Sequence, residues 1–213
     1  MKHLLLALLI LAAPALAIAE ETAAAAEAPV LAAETPAPPA AREWTLLPRE
    51  STITFRGKQM GKEFDGEIST FKAQIWFDPE QLDQSKVIVD IDLMSIDARD
   101  TDRNKSLLGP EWLDVQQFPV AHFETVNFAK KEDGSYIASA TLTMHGMPVE
   151  VQLPFTLDIK QDSGKDKAIM TGKVTLDRSK FALGTGDWAD PSVIANEVDV
   201  TVTVAATAPA GTK

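Results

Sequence analysis

Between Trp44 and Ala206 apolar and polar residues alternate in long, regular stretches. The clearest runs from Val149 to Ile159, where Val149, Val151, Leu153, Phe155, Leu157 and Ile159 share one parity and Glu150, Gln152, Thr156 and Asp158 the other. A period of two places successive side chains on opposite faces of a sheet, so this segment is a strand with one dry face. The same signal recurs over 52–56, where Ile53 and Phe55 pair, and over 64–77, a ribbon expected to break near Gly66 and to end at Asp78-Pro79. It recurs again at Val87, Val89, Ile91 and Leu93 opposite Asp90 and Asp92, then over 121–128, 136–144, 169–177 and at Val198, Val200, Val202 and Val204. Turns are expected between Gly57 and Gly61, at Asp133-Gly134, at His145-Gly146 and in the polar stretch 161–166. The pattern predicts an all-β fold: about eight antiparallel strands closed into a barrel, the size at which the interior just holds one small ligand.

One segment breaks the period. Asp100-Thr101-Asp102 opens 100–108 with helix-capping residues, Leu107 and Leu108 follow one to two turns on, and Gly109-Pro110 stops it. With Trp112-Leu113 and Phe118-Pro119 behind it, this excursion is expected to be a short helical cap over one end of the barrel.

The first 41 residues do not share the pattern. Met1-Lys2-His3, the apolar run 4–13 and the small residues through Ala17 and Ala19 have the layout of an export signal over 1–19, cleaved near Ala17 or Ala19. The run is shorter than the about twenty residues of a membrane span, and no cysteine follows it for lipid attachment. Residues 20–41 are Ala, Pro and Glu without an aromatic, a composition that buries too little to fold. The folded domain is therefore expected over 42–208, with a tail at 209–213, in a periplasmic protein without stable membrane insertion.

Charge and residue inventory narrow the chemistry. The formal charge is −11, from 31 acidic and 20 basic residues, with no basic-aromatic cluster, which excludes nucleic acid as a partner. There is no cysteine, so no disulfide supports the exported fold. His122 and His145 are too few and too isolated for a zinc site, and no cofactor is implied. Ser51, Ser95, Ser106 and Ser179 lack a nucleophile elbow. Gly184-Thr185-Gly186 runs into an acidic, proline-broken loop instead of the helix start that a phosphate loop needs. No catalytic residue is assigned.

The order and spacing of several residue groups resemble the YceI-like family, exported lipocalin-like barrels associated with polyisoprenoid lipids. The groups are Trp44 with Ser51-x-x-x-Phe55, Phe77-Asp78, Arg103-Asn104 within 101–108, and Trp112-Leu113-Asp114-Val115 with Phe118-Pro119 and Phe123. Leu142-Thr143-Met144-His145-Gly146 and Asp177-Arg178 with Phe181 and Gly184 complete the series. The chain departs where the family more often has Arg-Asp in place of Arg103-Asn104, and an aromatic soon after the glycine where it has Gly66-Glu67-Ile68. The resemblance implies non-catalytic binding, sequestration or transport of an amphiphilic isoprenoid-type lipid, in a monomer or homodimer. The alternatives are a fatty-acid or isoprenoid-quinone carrier linked to redox or stress response, and a lipid-modifying enzyme. On either reading the expected lining is Phe55, Phe71, Trp76, Phe77, Phe123, Leu142 and Phe155, with Leu107, Leu108 and Trp112 as a lid. Arg103 and Arg178 are the candidates for holding a polar head, since a guanidinium pairs with two oxygens at once.

Overall fold

A computed structural model describes residues 41–162 and 164–210. The expected export signal, most of the expected linker and the last residues of the tail lie outside that range. Eleven strands form a single antiparallel sheet: β1 (Glu43–Leu46), β2 (Thr52–Gln59), β3 (Lys62–Ile68), β4 (Phe71–Trp76), β5 (Lys86–Asp92), β6 (Ile96–Asp97), β7 (Val120–Lys130), β8 (Tyr136–Met144), β9 (Met147–Asp162), β10 (Lys165–Asp177) and β11 (Glu197–Pro209). Six of them are halves of three interrupted strands. β1 and β2 both pair with β11, β1 and β2 pair with β4 and β3, and β4 and β3 pair with β5 and β6. Rejoined, they give eight consecutive staves in up-and-down order, closed where β1 meets β11. Closure leaves the two-residue β6, paired with β3 alone, as the edge among the described strands.

The interruptions fall side by side, at the 3₁₀ turn Pro48–Glu50, at Ser69-Thr70 and at the 3₁₀ turn Leu93–Ser95. The ribbon expected to break at Gly66 thus breaks three residues later. Gly66 is glycine for another reason: a Cβ there would lie 2.2 Å from the Phe55 ring. Gly57, expected at a turn, sits inside β2 under the Phe64 ring, 2.6 Å from where its Cβ would be, and the turn itself is Met60-Gly61. Phe55 faces Gly66 and Phe64 faces Gly57 across β2 and β3, each ring covering the opposite glycine.

The helix α1 (Thr101–Leu108) starts where capping chemistry places it. The Asp100 carboxylate accepts the Arg103 backbone N–H at 2.9 Å. Asn104 fastens it to β6, accepting from the Ala98 N–H at 2.7 Å and donating to the Asp97 carboxylate at 2.9 Å. An aspartate at 104 could accept but not donate, so this departure from the family pattern strengthens the anchor of the cap. The hydrogen bonds from Asn104 and from the Arg99 backbone hold the Asp97 carboxyl below its usual pKa.

Short turns connect the staves at one end, whereas the other carries the long segments 98–119 and 178–196. Ala41 is buried and Pro209 ends β11, so ordered chain reaches slightly into the stretches expected as linker and tail. Among the described residues, no helix is long and apolar enough to cross a membrane.

Candidate functional site

The inward parity of the staves lines two adjoining chambers. The inner one, about 180 Å³, is walled by every second residue of each stave, such as Phe71, Ala73 and Ile75 on β4 and Val200, Val202 and Val204 on β11. Among the described residues, Thr125 is the one hydroxyl-bearing or charged residue that lines it. That hydroxyl accepts the Val87 N–H at 2.8 Å, so the wall offers a ligand apolar surface alone. A ring of aromatics packs its far end: Phe77 lies edge-on to Phe128, Tyr136 and Phe155 at centroid distances of 5.1, 5.7 and 6.0 Å, and Tyr136 stacks on Phe155 at 5.3 Å. The Trp44 indole N–H donates to the Phe77 carbonyl at 2.9 Å, tying β1 to this floor.

Ile53, Ile91, Leu142, Leu176 and Val200 line both chambers and form the waist between them. Beyond it the second chamber, about 400 Å³, opens among α1 and the long loops at the mouth. Here polar side chains join the wall: Lys58, Gln59, Asp100, Asp102, Arg103, Ser106 and Arg178.

Of the expected lining, Phe71, Phe77, Phe123 and Phe155 lie in the inner chamber, Leu142 at the waist, and Phe55, Arg103, Leu107, Trp112 and Arg178 in the mouth chamber. Trp76 and Leu108 are not among the lining residues of either. Trp76 has the parity opposite to Ile75, which faces inward, so its ring lies outside the barrel wall. Leu108 packs behind the mouth in a cluster built on Leu93, Trp112, Leu113, Phe181 and Ile194. Trp112 is 8% exposed and belongs to that cluster, which makes it wall as much as lid. Phe128 was hidden from the sequence pattern by a bulge between Thr125 and Asn127, which shifts the parity and leaves Val126 72% exposed. Phe64, Phe181 and Trp188 at the mouth lie in irregular or glycine-interrupted segments where no period announces them.

Arg178 is 4% exposed, and its guanidinium donates to five backbone carbonyls: Nε to Ala195 at 3.1 Å, Nη1 to Leu183 and Gly184 at 2.6 and 3.1 Å, and Nη2 to Trp188 and Ile194 at 2.8 Å each. All five N–H groups are committed to carbonyls, and none to a carboxylate. Burial pushes its pKa below the usual arginine value. It closes the 178–196 loop into a knot and leaves no donor for a ligand head. Gly184 belongs to this knot, since a Cβ there would come within 2.3 Å of Arg178 Nη1. The N–H groups of Gly184 and Thr185 go to the Glu111 carbonyl at 2.7 and 3.1 Å, consistent with the absence of a phosphate loop.

Arg103 is differently placed. Nη1 donates to the Ala98 carbonyl at 2.8 Å and Nη2 reaches Gln59 at 3.4 Å, while the guanidinium sits 4.1 Å over the Phe64 ring. Neither histidine lines a chamber: His122 lies outside the barrel, 2.7 Å from Asp90, and His145 packs edge-on to Phe118. Ser106 donates to the Asp102 carbonyl at 3.0 Å. Among the described residues, no group of three or more His, Cys, Asp or Glu side chains is arranged to hold a metal ion.

Comparison with known proteins bears on this geometry. The family profile described as the YceI-like domain matches residues 44–206. A UPF0312 protein of Vibrio parahaemolyticus is 25% identical over 146 residues, covering 66% of this chain and 77% of its own. Among solved structures, BcnA of Burkholderia cenocepacia superposes with a TM-score of 0.68 at 29% identity, covering 75% of this chain and 98% of that one. A polyisoprenoid binding domain from Saccharophagus degradans superposes with a TM-score of 0.61 at 15% identity, over 79% of this chain and 99% of its own, a likeness of fold.

Proposed function

The chain belongs to the YceI-like family, and from that premise we propose that it binds and carries an isoprenoid-type amphiphile in the barrel without transforming it. The observation that carries the reading is the pair of adjoining cavities, a polar-edged mouth and an apolar inner chamber with an aromatic floor, which share Ile53, Ile91, Leu142, Leu176 and Val200. This arrangement suits an apolar tail with a more polar end. Each buried methylene contributes about 0.8 kcal/mol, so a tail of several prenyl units yields tens-of-contacts binding even after the costs of association. The polyisoprenoid binding domain of Saccharophagus degradans, which shares this fold, supports the choice of ligand class.

A non-catalytic role is supported by the chemistry of the wall. A lipid-modifying enzyme needs a nucleophile or base beside the reacting atom. The inner wall has only the engaged Thr125 hydroxyl, and in the mouth the Ser106 hydroxyl and the Asp100 carboxylate are turned to backbone, which leaves Asp102 and Lys58 as the groups that a catalytic reading would have to use. The first 19 residues read as an export signal; on that reading the carrier works in the periplasm, where a shuttle for a water-insoluble lipid has a use.

Native mass spectrometry of the full-length gene product, expressed with its leader and purified from the periplasm without detergent, tests the proposal. The expected spectrum shows mature chain lacking its leader, one apolar ligand per barrel lost on denaturation, and the subunit count. Chain that stays ligand-free after incubation with prenyl lipids contradicts it.

A further inference from the structure

The large apolar side chains that stand exposed among the described residues are not spread evenly over the barrel. Met60, Met94, Val120 and Met147 sit toward the mouth, in or beside the connections between staves. Met60 is in the β2–β3 turn, Met94 in the 3₁₀ turn before β6, Val120 is the first residue of β7 and Met147 the first of β9. The others, Val126, Ile159 and Ile169, lie within strands. At the floor, the β7–β8 hairpin is tipped by exposed Lys131, Glu132, Asp133 and Gly134, the polar residues and glycine that a water-facing turn ordinarily carries.

Met60 departs furthest from that habit. Its φ is 48°, in the left-handed region that hairpin turns reserve for Asn, Asp or Gly and where a long side chain is disfavoured. It is also 74% exposed, so in water its apolar body packs against little that would offset the strain. The β8–β9 turn follows suit, with His145 at a φ of 52° and then Met147 and Pro148 exposed. Local rules broken in this way mark working surfaces, and apolar groups gathered at one end mark a contact.

Topology gives the shape of what they meet. Around the ring of eight staves, Met60 lies between the first (β1 and β2) and the second (β3 and β4), Met94 on the third, Val120 on the fourth, and Met147 between the fifth and sixth. Met60 and Met147 are therefore half a ring apart, on opposite sides of the opening, with the other two between them. A compact ligand or a single docked helix cannot meet both, whereas a flat surface laid across the mouth can. Leu93, Ala121 and Met144, neighbours of Met94, Val120 and the β8–β9 turn, line the mouth chamber, so that surface adjoins the cavity. Lys58 and Lys62 flank the Met60-Gly61 tip, and Lys62 makes no ion pair among the described residues. Cations beside an apolar tip match the phosphate level of a phospholipid layer above its acyl boundary.

We infer that the rim of the mouth is a bilayer-docking surface: Met60, Met94, Val120 and Met147 enter the acyl boundary of a phospholipid layer, and the mouth chamber then faces lipid instead of water. Methionine suits the task, being flexible and polarizable enough to pack in an irregular apolar medium. A handful of side chains of this size gives shallow, reversible contact, far from the hold of a spanning helix. The inference rests on the carrier reading for its use, since a barrel that opens toward lipid loads and unloads without passing its cargo through water. Docking itself is measurable without any cargo.

Mature chain purified from the periplasm, shown by mass to lack its leader, is sedimented with phosphatidylcholine vesicles free of prenyl lipid. Joint replacement of the two tips, Met60→Asn with Met147→Ser, is expected to weaken partition onto the vesicles about tenfold, the yield of partly burying two such side chains. Asn suits the left-handed position, so Met60→Asn alone is expected to melt no lower than the unmodified chain, which separates docking from folding. Val126→Ser removes an equally exposed side chain from the outer wall and is expected to leave partition unchanged. In a second measurement, a fluorescent prenyl alcohol passes from donor to acceptor vesicles. The double variant is expected to slow this transfer about tenfold while taking up the alcohol from dilute aqueous dispersion as before. No partition of the unmodified chain, undiminished partition of the double variant, or an equal loss with Val126→Ser overturns the docking surface. So does self-association that the double variant loses while neither protein binds vesicles, which makes the rim an interface between copies. With uptake of the alcohol intact, each of these failures leaves the carrier standing. Absence of uptake overturns the carrier reading alone, since docking is decided by vesicle partition.

Discussion

The two ends of the barrel are built on different principles. At the floor, Trp44, Phe77, Phe128, Tyr136 and Phe155 pack ring against ring beneath short hairpins, and the polar atom buried among them, the Trp44 indole N–H, finds a carbonyl. At the mouth, two long irregular segments hold their shape through Arg178 and its five carbonyls, through Glu111, and through Asn104, with Arg103 and Trp112 left holding spare donors. The floor is apolar and internally paired, whereas the mouth is lined in part by polar side chains. On the proposed carrier reading that asymmetry sets a direction, tail to the floor and head to the mouth.

The comparison is broken most severely at its keystone. Arg178→Met leaves five carbonyls, three of them in buried hydrogen bonds, without this donor, and a loss of about 3–5 kcal/mol is expected, seen as a melting temperature lower by roughly 10 °C and early proteolysis within 178–196. The test is differential scanning calorimetry with limited proteolysis; wild-type stability would mean that the mouth does not depend on the knot. Phe77→Ala opens the floor and is expected to cost about 3–4 kcal/mol by the cavity it leaves. Because it deepens the inner chamber, the variant is also expected to shift retention toward longer prenyl chains in a competition read by mass spectrometry.

Gly66→Ala probes the wall between the ends. The new methyl meets the Phe55 ring at 2.2 Å and the Asp97 carbonyl at 2.8 Å, and about 1–3 kcal/mol of overpacking is expected in urea unfolding. The smallest effect is electrostatic. Hydrogen bonds from Ser179 hold the Asp177 carboxyl below its usual pKa, as Asn104 and Arg99 do for Asp97, both at the mouth. A depressed folded-state pKa contributes stability above the unfolded value near pH 4 and loses it as pH falls through the lower folded value. Stability is therefore expected to fall below about pH 4, and Asp177→Asn to flatten that slope slightly in melts between acid and neutral pH.

How much of this was legible in the chain depends on which interactions are local. Parity along 149–159 placed Val151, Leu153, Phe155 and Leu157 on the lumen because a strand's period is visible in its own residues. The same rule, applied strictly, separates Trp76 from Phe77, two neighbours that an aromatic inventory had grouped together. It fails at Phe128, where one bulged residue reverses the parity, and at Gly57 and Gly66, whose reason for being glycine is a ring on the adjacent strand. The cap of α1 was legible from Asp100, since capping is a contact with the next turn. The role of Arg178 was not, since its partners are backbone carbonyls that any sequence at 183–195 would offer. Sequence marks such a residue as basic, and only the fold decides whether its donors face a ligand or the chain.

The direction of the lumen is tested most directly by a prenyl lipid carrying a photoreactive diazirine at the end of its tail, irradiated in complex with the protein and mapped by peptide mass spectrometry. The account expects labelling at the floor, on peptides containing Phe77, Tyr136 or Phe155. Labelling concentrated on Arg103, Trp112 and their neighbours at the mouth, or on the outer face of the barrel, contradicts it.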